Sequence, residues 1–281
     1  MLTALMLAAL LSSCDAPQPS AQQLGVQVLA TLPHDESMYT QGLEIAGGVL
    51  YEGSGQVGQS RVRTMTLPGV GLPGAALPDP GLPEDPGLAG TDGSWTEGAV
   101  TTMLRETALP APLFGEGLTV AGDRLWQLTW TSGIAIERDP ATLAERRRVT
   151  YQGEGWGLCD EGDRLVMSDG SDRLTFRDPV TFAPTGQVAV RFDGAPVRRL
   201  NELECVNGAV WANVYQTDRI VRIDPTTGAV TGVVDAAGLL TAEQRTAADV
   251  LNGIAAIPNT DEFLITGKHW PTLFRVRFVP S

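Results

Sequence analysis

Five times along this chain a side chain able to touch a ligand is followed by Gly or Glu and then by Leu or Ile. The copies are Gln41-Gly42-Leu43, Glu116-Gly117-Leu118, Trp156-Gly157-Leu158, Asn201-Glu202-Leu203 and Asn252-Gly253-Ile254. A turn dipeptide follows each: Gly47-Gly48, Gly122-Asp123, Gly162-Asp163, Asn207-Gly208 and Pro258-Asn259. Turns of this kind between apolar runs mark hairpins, because Gly and Asn supply positive φ cheaply. Repetition of one unit confines the chain to architectures that reuse a single supersecondary element. The framework repeats while the lead residue changes, as expected of a symmetric scaffold with a site at one end.

Second strands follow the turns, as in Leu125–Leu128 and Val210–Val214, and third strands such as Arg219–Ile223 run into Asp-Pro turns, where Pro removes a ladder donor. Fourth, outer strands follow, for example Ala229–Val234. Units of roughly 40–50 residues with four short strands predict an all-β, five-bladed β-propeller with four-stranded blades and a central channel over residues 24–281. A Pro/Gly-rich insertion over 68–94 lengthens the first spacing and cannot form a core strand. The runs Val26–Leu32 and Leu273–Phe278 are the expected partners for closing the ring, which removes the exposed sheet edge. A short helix is expected over Thr241–Val250, with Thr241 as N-cap and Gln244 completing a capping box.

The chain has 281 residues and a formal net charge of −13. That charge argues against nucleic acid or anionic lipid as a partner, since phosphate binding needs clustered Lys and Arg, and it favours cationic ligands such as amines. With two His and three Cys there is no spacing for a transition-metal site. Residues 1–13 form a short apolar run too brief to span a bilayer, and Leu11-Ser12-Ser13-Cys14 resembles a bacterial lipobox. The resemblance implies cleavage before Cys14, a lipid on its thiol, a polar tether over 14–23, and export to the envelope, periplasm or exterior. Membrane contact would then run only through that anchor.

In a propeller the first strands line the channel, so Gln41, Glu116, Trp156, Asn201 and Asn252 are expected as a ring at one mouth. Fourteen residues after the first four stand Gly55, Trp130, Gly170 and Tyr215, and sixteen after the fifth stands Lys268. A carboxylate, an ammonium, amides and large aromatics thus meet at one end. Taken singly, Trp130, Trp156 and Tyr215 could be packing, and Asn201 and Asn252 could cap backbone groups. Glu116 and Lys268 are harder to explain structurally, because burying such charges is costly without partners or a task.

Ten ordered motifs, among them YTQGL at 39–43, FGEGL at 114–118, EGWGL at 154–158, LNELE at 200–204, LNGI at 251–254 and TGKHWP at 266–271, together resemble the plant and bacterial type of glutaminyl cyclase. The resemblance implies a five-bladed propeller, unrelated to the zinc-dependent animal enzyme, that cyclises N-terminal glutaminyl residues to pyroglutamate with loss of ammonia. Its functional positions carry over to Gln41, Glu116, Trp156, Asn201 and Lys268, with Phe114, Trp130 and Asn252 as further pocket residues. Tyr215 stands where that family commonly has Trp, and Tyr39 where it has Phe.

The chemistry also follows from the residues. The α-amine and γ-carboxamide belong to one molecule, so an enzyme mainly holds the folded-back conformer, here between Trp156 and Tyr215. Glu116 is the ring's one lead-position carboxylate and is assigned the proton shuttle, with Lys268, Gln41 and Asn201 as oxyanion donors. No cofactor is required, a structural Ca²⁺ being the one ion compatible with the ligands at hand. The expected partners are peptides or proteins with N-terminal Gln, acted on by a monomer. Two other classes remain: a Ca²⁺-dependent lactonase-type propeller, which the ammonium at Lys268 disfavours, and a non-catalytic envelope lipoprotein. Cys159 and Cys205 stand three and four residues past their lead positions, which predicts opposite faces and two buried thiols instead of a disulfide. His34 and His269 are expected to be structural.

Overall fold

The computed structural model describes residues 20–68 and 100–281. Cys14, the signal segment and residues 69–94 of the insertion lie outside the described residues. Three of the four-stranded units expected from the repeats are present as separate antiparallel ladders. The first comprises Thr40–Ala46, Val49–Ser54, Arg61–Thr66 and Thr102–Ala108; the second Gly115–Ala121, Arg124–Thr129, Ile134–Arg138 and Glu145–Thr150; the third Leu158–Asp160, Leu165–Ser168, Arg173–Arg177 and Pro184–Ala189. The remaining strands join in one eight-stranded sheet, ordered Leu200–Val206, Ala209–Val214, Arg219–Ile223, Val230–Asp235, Gln22–Pro33, Thr272–Pro280, Glu262–Gly267 and Leu251–Ala256. A small ribbon pairs Arg191–Phe192 with Ala195–Pro196.

The two ends of the described chain pair as expected, with Val26 opposite Phe278 and Leu32 opposite Leu273. The N-terminal strand starts earlier than predicted, at Gln22, inside the stretch assigned to the tether. There it runs parallel to Val230–Asp235, Gln22 opposite Gly232, and buries Leu24. Sheets pack face to face, so the core is divided among the spaces between neighbours. Val49, Tyr51 and Val62 meet Leu118 and Leu125; Trp126 and Leu128 meet Leu158 and Leu165; Val166 and Leu174 meet Leu203 and Val210. The third residue of every repeat is at most 1% exposed: Leu43, Leu118, Leu158, Leu203 and Ile254. Each such side chain contributes about 1.5–3 kcal/mol by leaving water.

Face-to-face packing also corrects the cysteine expectation. Cys159 and Cys205 form a disulfide, with Cα atoms 5.4 Å apart. They do point to opposite faces of their own sheets, but in stacked sheets the front of one meets the back of the next. The expected helix is likewise reduced to a 3₁₀ turn, Gln244–Thr246. The capping box itself forms: Thr241 N–H donates to Gln244 Oε1 (2.9 Å) and Gln244 N–H to Thr241 Oγ1 (3.2 Å). Propagation stops because Asp249 N–H donates to Lys268 O and Lys268 N–H to Val250 O, which draws the chain into an extended bridge.

The first strands touch in a closed circuit, Thr40–Ala46 beside Gly115–Ala121, then Leu158–Asp160, then Leu200–Val206 and Leu251–Ala256, the two ends of the eight-stranded sheet, and back to the first. The second residue of each repeat explains how they come so close. A Cβ on Gly117 would lie 2.6 Å from Trp156 O, and one on Gly42 would lie 2.7 Å from Leu118 N. Gly117 N–H donates to Trp156 O (2.7 Å) across this gap. Glu202 replaces glycine in the fourth copy, and its carboxylate accepts Leu43 N–H (3.2 Å) and Ile254 N–H (2.7 Å).

Several buried acids set the pH response. Burial raises Glu44 to about 7, aided by the negative Asp160, and raises Glu202 and Glu204 well above the usual carboxylate range. Glu52 goes the other way: burial alone would raise it, but His34 and Arg63 outweigh that and hold it at about 2. Burial opposes a proton on His34, yet Glu52 prevails and His34 is raised. The folded state therefore holds protons on Glu44, Glu202, Glu204 and His34 that the unfolded chain releases as pH rises. It also holds Glu52 ionised where the unfolded chain, at about 4.3, takes a proton. The thermal midpoint should be highest near pH 5, fall from pH 5 to 8, and fall again below about pH 4. Glu44→Gln should flatten the decline between pH 5 and 7 in a melting series, and a wild-type midpoint constant from pH 5 to 8 would refute this account.

Candidate active site

The lead residues sit where the ladders break. Register shifts between Thr40 and Gly42, Gly115 and Leu118, Leu200 and Leu203, and Leu251 and Ile254 leave Gln41, Glu116, Asn201 and Asn252 unpaired in bulges. In the third sheet the strand begins only at Leu158, just past Trp156. A bulge re-aims its side chain, which is how a narrow ring of strands can present polar groups along its axis.

At one mouth, Tyr39, Gln41, Phe114, Glu116, Trp130, Trp156, Asn201, Tyr215 and Lys268 line a cleft of about 190 Å³. Every sequence-predicted site residue among the described ones is there except Asn252. That residue is fully buried beneath the floor, where its Nδ2 donates to Thr40 O (3.0 Å) and Gln41 Oε1 (3.2 Å). Gln41 Nε2 in turn donates to Glu116 Oε1 (2.9 Å). Asn252 thus acts through Gln41, which fixes one oxygen of Glu116. Asn201 borders the cleft with its buried Oδ1 lacking a partner among the described residues.

Glu116 and Lys268 are 5% and 3% exposed. Burial raises Glu116 well above the usual carboxylate range, opposed by Lys268 and reinforced by Glu154. Burial lowers Lys268, opposed by Glu116 and Asp249. No salt bridge joins Glu116 and Lys268 among the described residues. The ammonium instead lies 4.6 Å from the Tyr39 ring centre and 4.9 Å from that of Tyr215, a cation–π arrangement that leaves its N–H donors available. Tyr39 is pushed up to about 12 by burial and by Asp249, so its hydroxyl stays protonated. Trp156 and Tyr215 stand edge to face at 5.4 Å, and Phe114 contacts Trp130 at 5.6 Å. The arrangement offers a proton carrier, a cation and free amide groups inside an aromatic slot.

The model of the family described as glutamine cyclotransferase matches residues 1–278. The chain belongs to the glutamine cyclotransferase family. It is 34% identical over 258 residues to the glutaminyl-peptide cyclotransferase of Arabidopsis thaliana, covering 90% of this chain and 71% of the relative. The crystal structure of Myxococcus xanthus glutaminyl cyclase superposes with a TM-score of 0.73 at 34% identity, covering 93% of this chain and all of that one.

Two features of the cleft have roles that the sequence did not reveal. Glu154 accepts hydrogen bonds from both Trp130 Nε1 (2.7 Å) and Trp156 Nε1 (2.9 Å) through one oxygen. The signal was present in EGWGL at 154–158, but nothing local shows that Trp130 shares the acceptor. Gly55 and Gly170 are the seats of two walls: a Cβ on Gly55 would strike the Phe114 ring, and one on Gly170 would lie 2.7 Å from Trp156. His34 joins Glu52 and Trp270 O, and His269 meets Tyr39 edge to face at 5.3 Å. Gly170 also has φ of 78°, so Gly170→Ala both strains the backbone and displaces Trp156. We expect kcat/KM on a Gln-Xaa peptide to fall at least about tenfold, mainly through KM, with the melting midpoint changed by only a few degrees.

Proposed function

We propose that the cyclotransferase closes N-terminal glutaminyl residues of peptides and proteins to pyroglutamate by a metal-independent intramolecular attack. The observation that carries this reading is the buried carboxyl of Glu116 and the buried ammonium of Lys268, unpaired with each other, in one aromatic-walled cleft. The substrate side chain folds back between Trp156 and Tyr215, bringing its α-amine to the γ-carboxamide carbon. Burial raises the proton affinity of Glu116 well above that of an ordinary carboxylate, which suits it to take the proton released as the C–N bond forms. It returns that proton to the departing amide nitrogen, which leaves as ammonia. The oxyanion between these steps is met by Lys268 and the Asn201 amide, donors that both border the cleft. Gln41 uses one N–H on Glu116 and keeps the other for substrate. A metal ion in this cleft would stand against the Lys268 ammonium, which disfavours it.

We also read the fold as a five-bladed propeller, the eight-stranded sheet being two blades joined edge to edge by Gln22–Gly25. The closed circuit of first strands and the face-to-face core support this. Export as a lipoprotein is supported by the Leu11–Cys14 motif and by the Cys159–Cys205 disulfide, which suits an oxidising compartment.

Glu116→Gln keeps the shape and removes the proton carrier, so turnover should drop by about 10²–10⁴-fold with an unchanged melting midpoint. Ammonia release from a Gln-Xaa dipeptide, followed with and without EDTA, measures this; a fully active mutant, or activity abolished by EDTA and restored by a metal, would sink the mechanism. In a bacterial host Cys14→Ser should shift the protein from the membrane to the soluble fraction, and unchanged fractionation would rule out the anchor.

A further inference from the structure

Trp130 and Trp156 belong to different sheets, one following Arg124–Thr129 and the other preceding Leu158–Asp160. Both form walls of the cleft. Trp130 is 40% exposed, unusual for so large a ring, and meets Phe114 edge to face at 5.6 Å. Its indole N–H is held by Glu154, whose Oε2 accepts Trp130 Nε1 at 2.7 Å and Trp156 Nε1 at 2.9 Å. The intervening backbone strengthens the joint, since Gly155 N–H donates to Trp130 O (3.0 Å) and Gly155 packs against the Tyr151 hydroxyl. The Tyr151 hydroxyl donates to Thr129 O, the residue before Trp130. Glu154 does not itself line the cleft.

We infer that Glu154 is a positioning residue for the cyclisation: one carboxylate oxygen clamps the Trp130 and Trp156 indoles, across two sheets, in the orientation that forms the substrate slot. A shared acceptor ties the two rings to one point, so neither can rotate without breaking a charge-assisted bond. The inference rests on the cyclase reading of the cleft. Glu154 has a second consequence through its charge. Glu116 is faced by Gln41 and Tyr39 on the first sheet's side, by Lys268 from the end of Glu262–Gly267, and by Tyr151 and Glu154 from the loop between the second and third sheets. Of these, Glu154 is the one other carboxylate acting on it, and it favours the protonated form.

The test compares Glu154→Ala with Glu154→Gln, whose amide oxygen can still accept both indoles. Glu154→Ala should lower kcat/KM on a Gln-Xaa peptide by about 10–100-fold, chiefly through KM, as expected for lost positioning. Glu154→Gln should recover at least tenfold of that loss, and the pH-profile limb belonging to Glu116 should move to lower pH. Indole N–H signals, assigned with Trp130→Phe and Trp156→Phe, report the clamp without substrate. Both should shift in Glu154→Ala and stay near wild type in Glu154→Gln. Unmoved indole signals in the alanine variant would overturn the clamp. Moved signals with wild-type kcat/KM would overturn its role in positioning. Glu116→Gln run alongside isolates the mechanism: if that variant is fully active, the assignment of Glu116 fails while the clamp is still decided by the indole signals.

Discussion

The close approach of the first strands is the constraint on which the rest depends. Gly42, Gly117 and Gly157 each face backbone of the next first strand at a distance no side chain tolerates. At this separation the strands can hydrogen bond directly, as Gly117 does to Trp156 O, or through one side chain, as Ser168 Oγ does between Gly157 N–H and Asn201 O. A wider ring would leave those groups in a water-filled channel. The narrow ring forces the lead residues into bulges, and the bulges aim them along the axis. Where glycine gives way to Glu202, the carboxylate bonds to amides of two other first strands, replacing contact with hydrogen bonding.

The same narrowness makes the electrostatics of the cleft. Glu116 and Lys268 lose most of their water, and each loses some preference for its charged form. Their opposite charges limit the effect without an ion pair forming, because Lys268 lies over the Tyr39 and Tyr215 rings. An ion pair would have satisfied both groups and left neither for substrate. The chain from Asn252 through Gln41 to Glu116 holds the carboxyl in place using neutral amides, which fix its geometry without neutralising its charge. Tyr215 fits this arrangement, since its ring supplies both a wall against Trp156 and a face for the ammonium.

Much of this was legible in the residues. The Gly-Gly, Gly-Asp and Asn-Gly turns fixed the hairpins because their backbone needs are local, and Leu43, Leu118, Leu158, Leu203 and Ile254 marked the core because their repeat spacing follows the strand. Seven cleft-lining residues emerged as lead positions or their second-strand partners, and Phe114 and Tyr39 through the family resemblance. Asn252 was misplaced because register alone does not show that the fifth lead residue lies below the floor, under Gln41. Cys159 and Cys205 were misjudged because facing directions within a sheet are local, whereas which face meets which depends on how sheets stack. The helix over Thr241–Val250 failed because its cap is a local signal and its termination by Lys268 is not.

By itself, then, the sequence determined the all-β repeat, its hairpins, the buried third residue of each copy and the chemical inventory of the site, since turn preference, side-chain period and acid–base character belong to residues and their near neighbours. The tertiary structure alone decided the eight-stranded sheet, the disulfide, the elevated proton affinity of Glu116 and the single oxygen of Glu154 that joins Trp130 to Trp156. Those depend on burial and on contacts between groups far apart in the chain, and both arise only when the sheets are packed together.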